Sequence, residues 1–175
     1  KWKATREMCE AVDQAYSWIM DYVWDGYELI HEQYVTISAT GEGGTLDVCL
    51  VKRKLGYVHI VIADYKHGRG VKVEAAENKQ MRLYMLGVIE KLKLRQMFES
   101  NSLALSQAIL QPRVADGINH WIDDCQDLLQ FERNAIKARD AINKGKTSFV
   151  TSEKGCKWCP ARGQCKAFAE KAMEA

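Results

Sequence analysis

The sequence contains no apolar run long enough to span a bilayer and no signal-peptide pattern, so it gives no reason to expect a membrane protein. It also has little excess charge. Against 25 Lys and Arg stand 23 Asp and Glu, a formal net charge of +2. No overall basic field marks a nucleic-acid binder, and any such site must be a local patch. Prolines number two, and neither an internal repeat nor a low-complexity linker interrupts the chain. What remains is ordinary for a globular protein: 175 residues, 47% hydrophobic and 27% charged, enough for one domain with a real core. Of the six cysteines, three fall between positions 156 and 165. Without a secretion signal, that clustering points to metal ligation in a reducing compartment rather than to disulfides.

Periodicity predicts an α/β protein with a central mixed sheet flanked by helices. Residues 4–24 read as an amphipathic helix ended by Asp25-Gly26. Residues 27–37 read as a strand, although neither of its faces is cleanly apolar. Residues 41–44, Gly-Glu-Gly-Gly, read as a turn, and residues 45–51 as a second strand. The apolar, β-branched run from Val58 is the central strand, broken at Gly68-Arg-Gly70. Residues 78–97 read as one helix, 102–111 as an apolar strand stopped by Pro112, and 119–122 as a short edge strand. Residues 123–144 form a long helix, an irregular cysteine-bearing segment follows Gly145, and 166–173 close as a short helix. The expected organisation is a core over 1–150 with the cysteine segment, 151–175, packed on the same domain.

The central strand ends in Asp64-Tyr65-Lys66. Side chains alternate along a strand, so Asp64 and Lys66 face the same way. Read alone, the pair is weak evidence and describes a solvated ion pair sooner than a site. Two more acids precede it: Glu32 on the first strand and Asp47 just after a glycine turn on the second. If these strands are neighbours, Glu32, Asp47 and Asp64 converge at one end of the sheet. Hard divalent cations such as Mg2+ or Mn2+ prefer such oxygen ligands. Three carboxylates and one lysine suit phosphodiester hydrolysis better than acyl or glycosyl transfer, because a metal-bound water and a compensated phosphate are what that reaction needs. On the next helix Gln80 and Tyr84 are four apart and share a face. They could hold a phosphate or nucleotide edge, or be a surface glutamine and a core tyrosine. Lys66, Arg69, Lys72, Lys79 and Arg82 surround the site as candidate phosphate contacts. His67 is the one histidine close enough in sequence to touch substrate.

Asp47, the Asp64-Tyr-Lys66 triplet and Gln80-Met-Arg-Leu-Tyr84, in this order and spacing, resemble the PD-(D/E)XK nuclease superfamily, and within it the RecB-like phage-encoded exonucleases. Lys66-His-Gly-Arg-Gly-Val71, Glu77-Asn-Lys-Gln-Met-Arg-Leu-Tyr-Met-Leu-Gly87, His31-Glu-Gln33 and Gln111-Pro-Arg113 each resemble stretches of that family. The resemblance covers residues from about Trp18 to the end. It implies a restriction-endonuclease-like core and a metal-dependent DNA exonuclease of phage recombination or genome processing. Its location would be the bacterial cytoplasm, with DNA and a phage recombination protein as partners. It implies Glu32, Asp47 and Asp64 as ligands of Mg2+ or Mn2+, Lys66 as the catalytic lysine, Gln80 and Tyr84 as residues that place DNA, and Arg69, Lys72 and Arg82 beside it. These proteins also carry an N-terminal Cys-Pro pair and a histidine-bearing helix. Neither is found here; they are expected to precede Lys1 or to have been lost.

Cys156-Lys-Trp-Cys159-Pro-Ala-Arg-Gly-Gln-Cys165 is a dense thiolate nest. Zinc and iron–sulfur clusters both accept four thiolates, and spacing does not choose between them. The resemblance implies a 4Fe-4S cluster closed by a distant upstream cysteine. Cys9, on a helix and lacking the following proline, is the candidate fourth ligand. Cys49 and Cys125 are expected to be core thiols.

Overall fold

The computed structural model describes residues 3–146 and 148–173, apart from the side chain at position 154. The chain folds as two compact units, Lys1–Ile136 and Lys137–Ala175. No helix among the described residues is long and apolar enough to cross a membrane.

The first unit is the expected α/β fold. Its elements are α1 (Arg6–Trp24), β1 (Glu28–Ile37), β2 (Glu42–Lys54), β3 (Tyr57–Tyr65), α2 (Lys79–Lys91), α3 (Arg95–Glu99), β4 (Leu103–Leu110), β5 (Ile118–Asp123) and α4 (Cys125–Asn143), the last running across the boundary. One five-stranded sheet follows chain order, β1-β2-β3-β4-β5. Only β3 and β4 pair in parallel, because α2 carries the chain back between them; the other pairs are antiparallel. The apolar runs of β3 and β4 are buried on both faces. On one face Leu46, Ile60, Ile62, Leu105 and Ile109 pack with Met81, Met85 and Ile89 of α2 and Leu128 of α4. On the other, Leu50, Val61, Ala63 and Ala108 meet Ala15, Trp18, Ile19 and Tyr22 of α1.

Local chemistry sets the ends of these elements. Thr5 caps α1 by accepting from the Met8 N–H, and Gly26, at φ +86°, turns the chain out of it. Asn78 caps α2, accepting from the N–H groups of Gln80 and Met81, which fixes the turn carrying Gln80.

Three expectations are corrected. The helix anticipated over 78–97 is two helices. Lys93, at φ +57°, ends α2 with Lys93 N–H bonded to Glu90 O and Leu94 N–H to Ile89 O. That is a Schellman termination without its usual glycine, and it gave no compositional warning. Of the residues anticipated as a turn, Gly41 does lie in the reversal, at φ +74°, but Glu42, Gly43 and Gly44 begin β2. The cysteine segment is not wholly irregular. It holds a short helix, α5 (Glu153–Lys157), capped by Ser152, and a 3-10 turn (Arg162–Gln164) before α6 (Lys166–Met173).

The first strand's unclear faces have a cause. Ile30 and Val35 both pack toward α2 although their positions differ in parity. The alternation changes phase between them, where Glu32 adopts φ +47°. On β2, Leu46 faces α2 and Val48 faces α1, so its phase changes at Asp47. The two irregular residues oppose each other: pairing runs Gln33–Leu46, then His31–Val48, and skips Glu32 and Asp47.

Candidate active site

The three acids singled out above lie in one row across the sheet. Glu32 stands opposite Asp47 in the β1–β2 register. The β2–β3 ladder begins at Val48–Ala63, and one step further along it Asp47 stands opposite Asp64. At that step β2 and β3 part. The Tyr65 N–H, which points toward β2, is taken not by a backbone carbonyl but by Asp47 Oδ2 at 2.8 Å. A side chain thereby satisfies a ladder donor that the separation would leave open.

Asp64 is the buried member, with 6% of its surface exposed. Its Oδ1 accepts from Gln80 Nε2 at 3.2 Å. Lys66 Nζ lies 2.6 Å from its Oδ2, confirming that Asp64 and Lys66 share a face. That oxygen is buried, with the Lys66 ammonium beside it. Burial pushes the Asp64 carboxyl above the ordinary range; Lys66 opposes this and the nearby Asp47 adds to it. Tyr84, one helical turn beyond Gln80, lays its ring over Gly44 of β2. A Cβ there would sit 2.7 Å from Tyr84 Cε1.

Carboxylate oxygens are hard donors, and the Asp64 carboxylate, buried with Asp47 nearby, suits Mg2+ or Mn2+. As the side chains stand, however, no three His, Cys, Asp or Glu groups among the described residues are gathered closely enough to hold an ion. Asp47 and Asp64 are the neighbouring pair; Glu32 is exposed at the same row on the edge strand.

The expected basic residues are placed differently from one another. Arg82 faces inward. Its guanidinium grips Asp123 of β5 through two bonds of 3.0 and 2.9 Å and stacks over Trp121. Arg69 pairs with Glu7 of α1, and Lys72 lies 3.2 Å from Glu74. His67 turns to the other side of the strand, its Nδ1 2.7 Å from the Tyr65 hydroxyl and its Nε2 enclosed without a partner.

Two amides to which the sequence assigned no role, the buried Gln111 and the half-buried Asn119, shape the loop after Lys66. Gln111, at the end of β4, donates to the carbonyls of Gly68 and Val71 and accepts from the Val73 N–H. Asn119 of β5 accepts from the Ala75 N–H and donates to Val73 O. Arg113 donates to His67 O and pairs with Glu7. The available signal was a glutamine ending an otherwise apolar strand.

All six cysteines are free thiols. Cys49 and Cys125 are buried as expected, and burial pushes the Cys49 thiol up to about 12. Cys9 is exposed on α1 of the first unit, whereas Cys156, Cys159 and Cys165 belong to the second. Cys156 and Cys159 lie within one turn, the Cys159 N–H bonding to Cys156 O. As these side chains stand, the three thiols of the second unit are not gathered closely enough to hold an ion.

Over residues 1–175 the chain matches, and so belongs to, the family described as "Protein of unknown function (DUF2800)".

Proposed function

We propose that the chain is a metal-dependent deoxyribonuclease that hydrolyses phosphodiester bonds at DNA ends. One observation carries this reading: a buried aspartate at the end of the central strand, bracketed by Lys66 and Gln80 and standing in register with Asp47 and Glu32. The resemblance of these same residues to RecB-like PD-(D/E)XK nucleases supports it, as does their arrival on a mixed α/β sheet.

In this reading Asp47 and Asp64, with Glu32 beside them, would hold Mg2+ or Mn2+. When bound, the metal makes a coordinated water acidic and offsets phosphate charge. Lys66, its side chain 35% exposed and paired with Asp64, would orient the attacking water and face charge developing on the phosphate. Gln80 fixes the Asp64 carboxylate, and Asn78 fixes Gln80. Tyr84 borders the same row of residues. Cys156, Cys159 and Cys165, with a fourth ligand, would hold an iron–sulfur cluster. Iron with sulfide and a brown colour in anaerobically purified protein are expected; zinc in colourless protein would replace the cluster with a structural zinc site.

The experiment compares end-labelled linear DNA with closed circular DNA, with manganese and with chelator, for the intact chain and Lys66→Ala. Metal-dependent loss of linear DNA, slowed at least about 100-fold in the variant, is expected; each tenfold is about 1.4 kcal/mol of transition-state stabilisation. Near-normal cleavage by Lys66→Ala sinks the assignment. A second reading, a non-catalytic DNA-binding module on the same fold, is favoured by Asp47 being already engaged by the Tyr65 N–H. Its signature is DNA binding without cleavage by either protein.

A further inference from the structure

The near-neutral net charge conceals an asymmetry. Residues 137–175 carry nine Lys and Arg against four Asp and Glu, whereas residues 1–136 are net acidic. Within this second unit lies a hollow of about 460 Å³ bordered by three cations, Lys157, Arg162 and Lys171, against one carboxylate, Glu153, with Cys156 and Phe168 also on its wall. Arg162 stacks over the Phe168 ring at 4.5 Å. No acidic partner pairs with Lys157, Arg162 or Lys171 among the described residues. Lys157 Nζ also lies 5.3 Å from the centre of the Trp158 ring, which is 80% exposed. Cations around a hollow meet phosphate, and an open indole beside them stacks on an unpaired base. Lys157 and Trp158 are the two spacers of Cys156-x-x-Cys159, so any group held by those thiols fixes the pair without consuming it.

We infer that the second unit is a binding site for single-stranded nucleic acid, with a phosphate among Lys157, Arg162 and Lys171 and a base stacked on Trp158. The charge excess selects a polyanion, and the exposed indole selects an unpaired strand over a duplex, whose bases are already stacked. Phe149, 86% exposed in the same unit, offers a second aromatic surface. The site stands apart from the reading of Asp64 and Lys66, because binding here needs no cleavage.

The test is fluorescence anisotropy of labelled oligo-dT and oligo-U with the intact chain, in buffer without added divalent cation, against Trp158→Ala, Trp158→Phe and the pair Lys157→Gln/Lys171→Gln. Circular dichroism and metal content are compared alongside. Trp158→Ala is expected to weaken binding about tenfold and Trp158→Phe to retain most of it. The lysine pair should lower the slope of log affinity against log salt by roughly 0.7. Unchanged binding by Trp158→Ala, equal loss in Trp158→Phe, a slope unmoved by the lysine pair, or binding only to anionic vesicles or to duplex overturns the inference. Should Trp158→Ala fail to fold, the lysine pair's salt slope decides. Because nothing is cleaved in this assay, an inactive Lys66→Ala and a non-binding Trp158→Ala are separate results.

Discussion

Single residues decide how the candidate site is packed, and Gly44 is one of them. Its backbone is ordinary; it is the missing Cβ that matters, since one would stand 2.7 Å from Tyr84 Cε1 and 2.8 Å from its hydroxyl. Tyr84 is half-buried in the face that α2 presents to the sheet, so it has little room to yield. Gly44→Ala should therefore cost about 1–3 kcal/mol and slow any DNA cleavage, because the displaced ring borders the acidic row. The neighbouring Gly43 is the control. A Cβ there meets Tyr34, 58% exposed and able to swing into solvent, and comes 3.0 Å from the Val35 carbonyl oxygen, which as backbone has to shift slightly. Gly43→Ala should cost less than Gly44→Ala, about 1 kcal/mol or below. Urea unfolding of both variants checks this, and equal costs would mean that the Tyr84 ring is not fixed where it stands. The sequence made the pairing of Asp64 with Lys66 legible, because strand alternation alone dictates it. It did not make Arg82 legible. A basic residue beside a candidate site looks like a phosphate contact until β5 brings Asp123 to it.

At the scale of elements, the strands were readable and their faults were not. An apolar run such as that of β3 declares a buried strand, but a phase change at Glu32 needs one residue at positive φ, and glutamate does not advertise it. The same holds for Lys93, which ends α2 where periodicity ran on. Long-range polar clamps are hidden for another reason: the amides holding the loop after Lys66 are 38 to 46 residues from their partners. That loop has no ladder of its own, so Gln111 and Asn119 supply its bonds. Gln111→Ala would leave the Val73 N–H and the carbonyls of Gly68 and Val71 without their partner, costing about 1–3 kcal/mol. Amide exchange at Val73 should accelerate more than at Ala75, whose partner is Asn119; the reverse ranking is expected for Asn119→Ala. Equal exchange rates in the variants and the parent would show that the clamp is dispensable. If the proposed nuclease reading holds, Gln111→Ala also lowers cleavage without abolishing it, because Lys66 itself remains.

For the first unit as a whole, folding stability carries a pH signature that originates far from the acids. His59 of β3 is clasped between the Tyr27 hydroxyl at 2.7 Å and the Ser106 hydroxyl at 2.9 Å, with Lys52 of β2 and Tyr57 as further neighbours. Burial, helped by Lys52, lowers its pKa below the ordinary histidine value. In the unfolded chain the imidazole titrates near about 6.5, so below that pH the unfolded state binds the proton more readily. The neutral ring's contribution is therefore fully present above about pH 6.5 and is lost as pH falls through the lower folded-state pKa. Urea unfolding at pH 7.5 and at pH 5 should show the parent losing more stability than His59→Gln over that interval, whatever the variant costs at pH 7.5. A parallel decline in the two proteins would mean that His59 accepts its proton within the fold. That outcome would require the Tyr27 and Ser106 hydroxyls both to act as acceptors toward a charged ring, beside a lysine that opposes it.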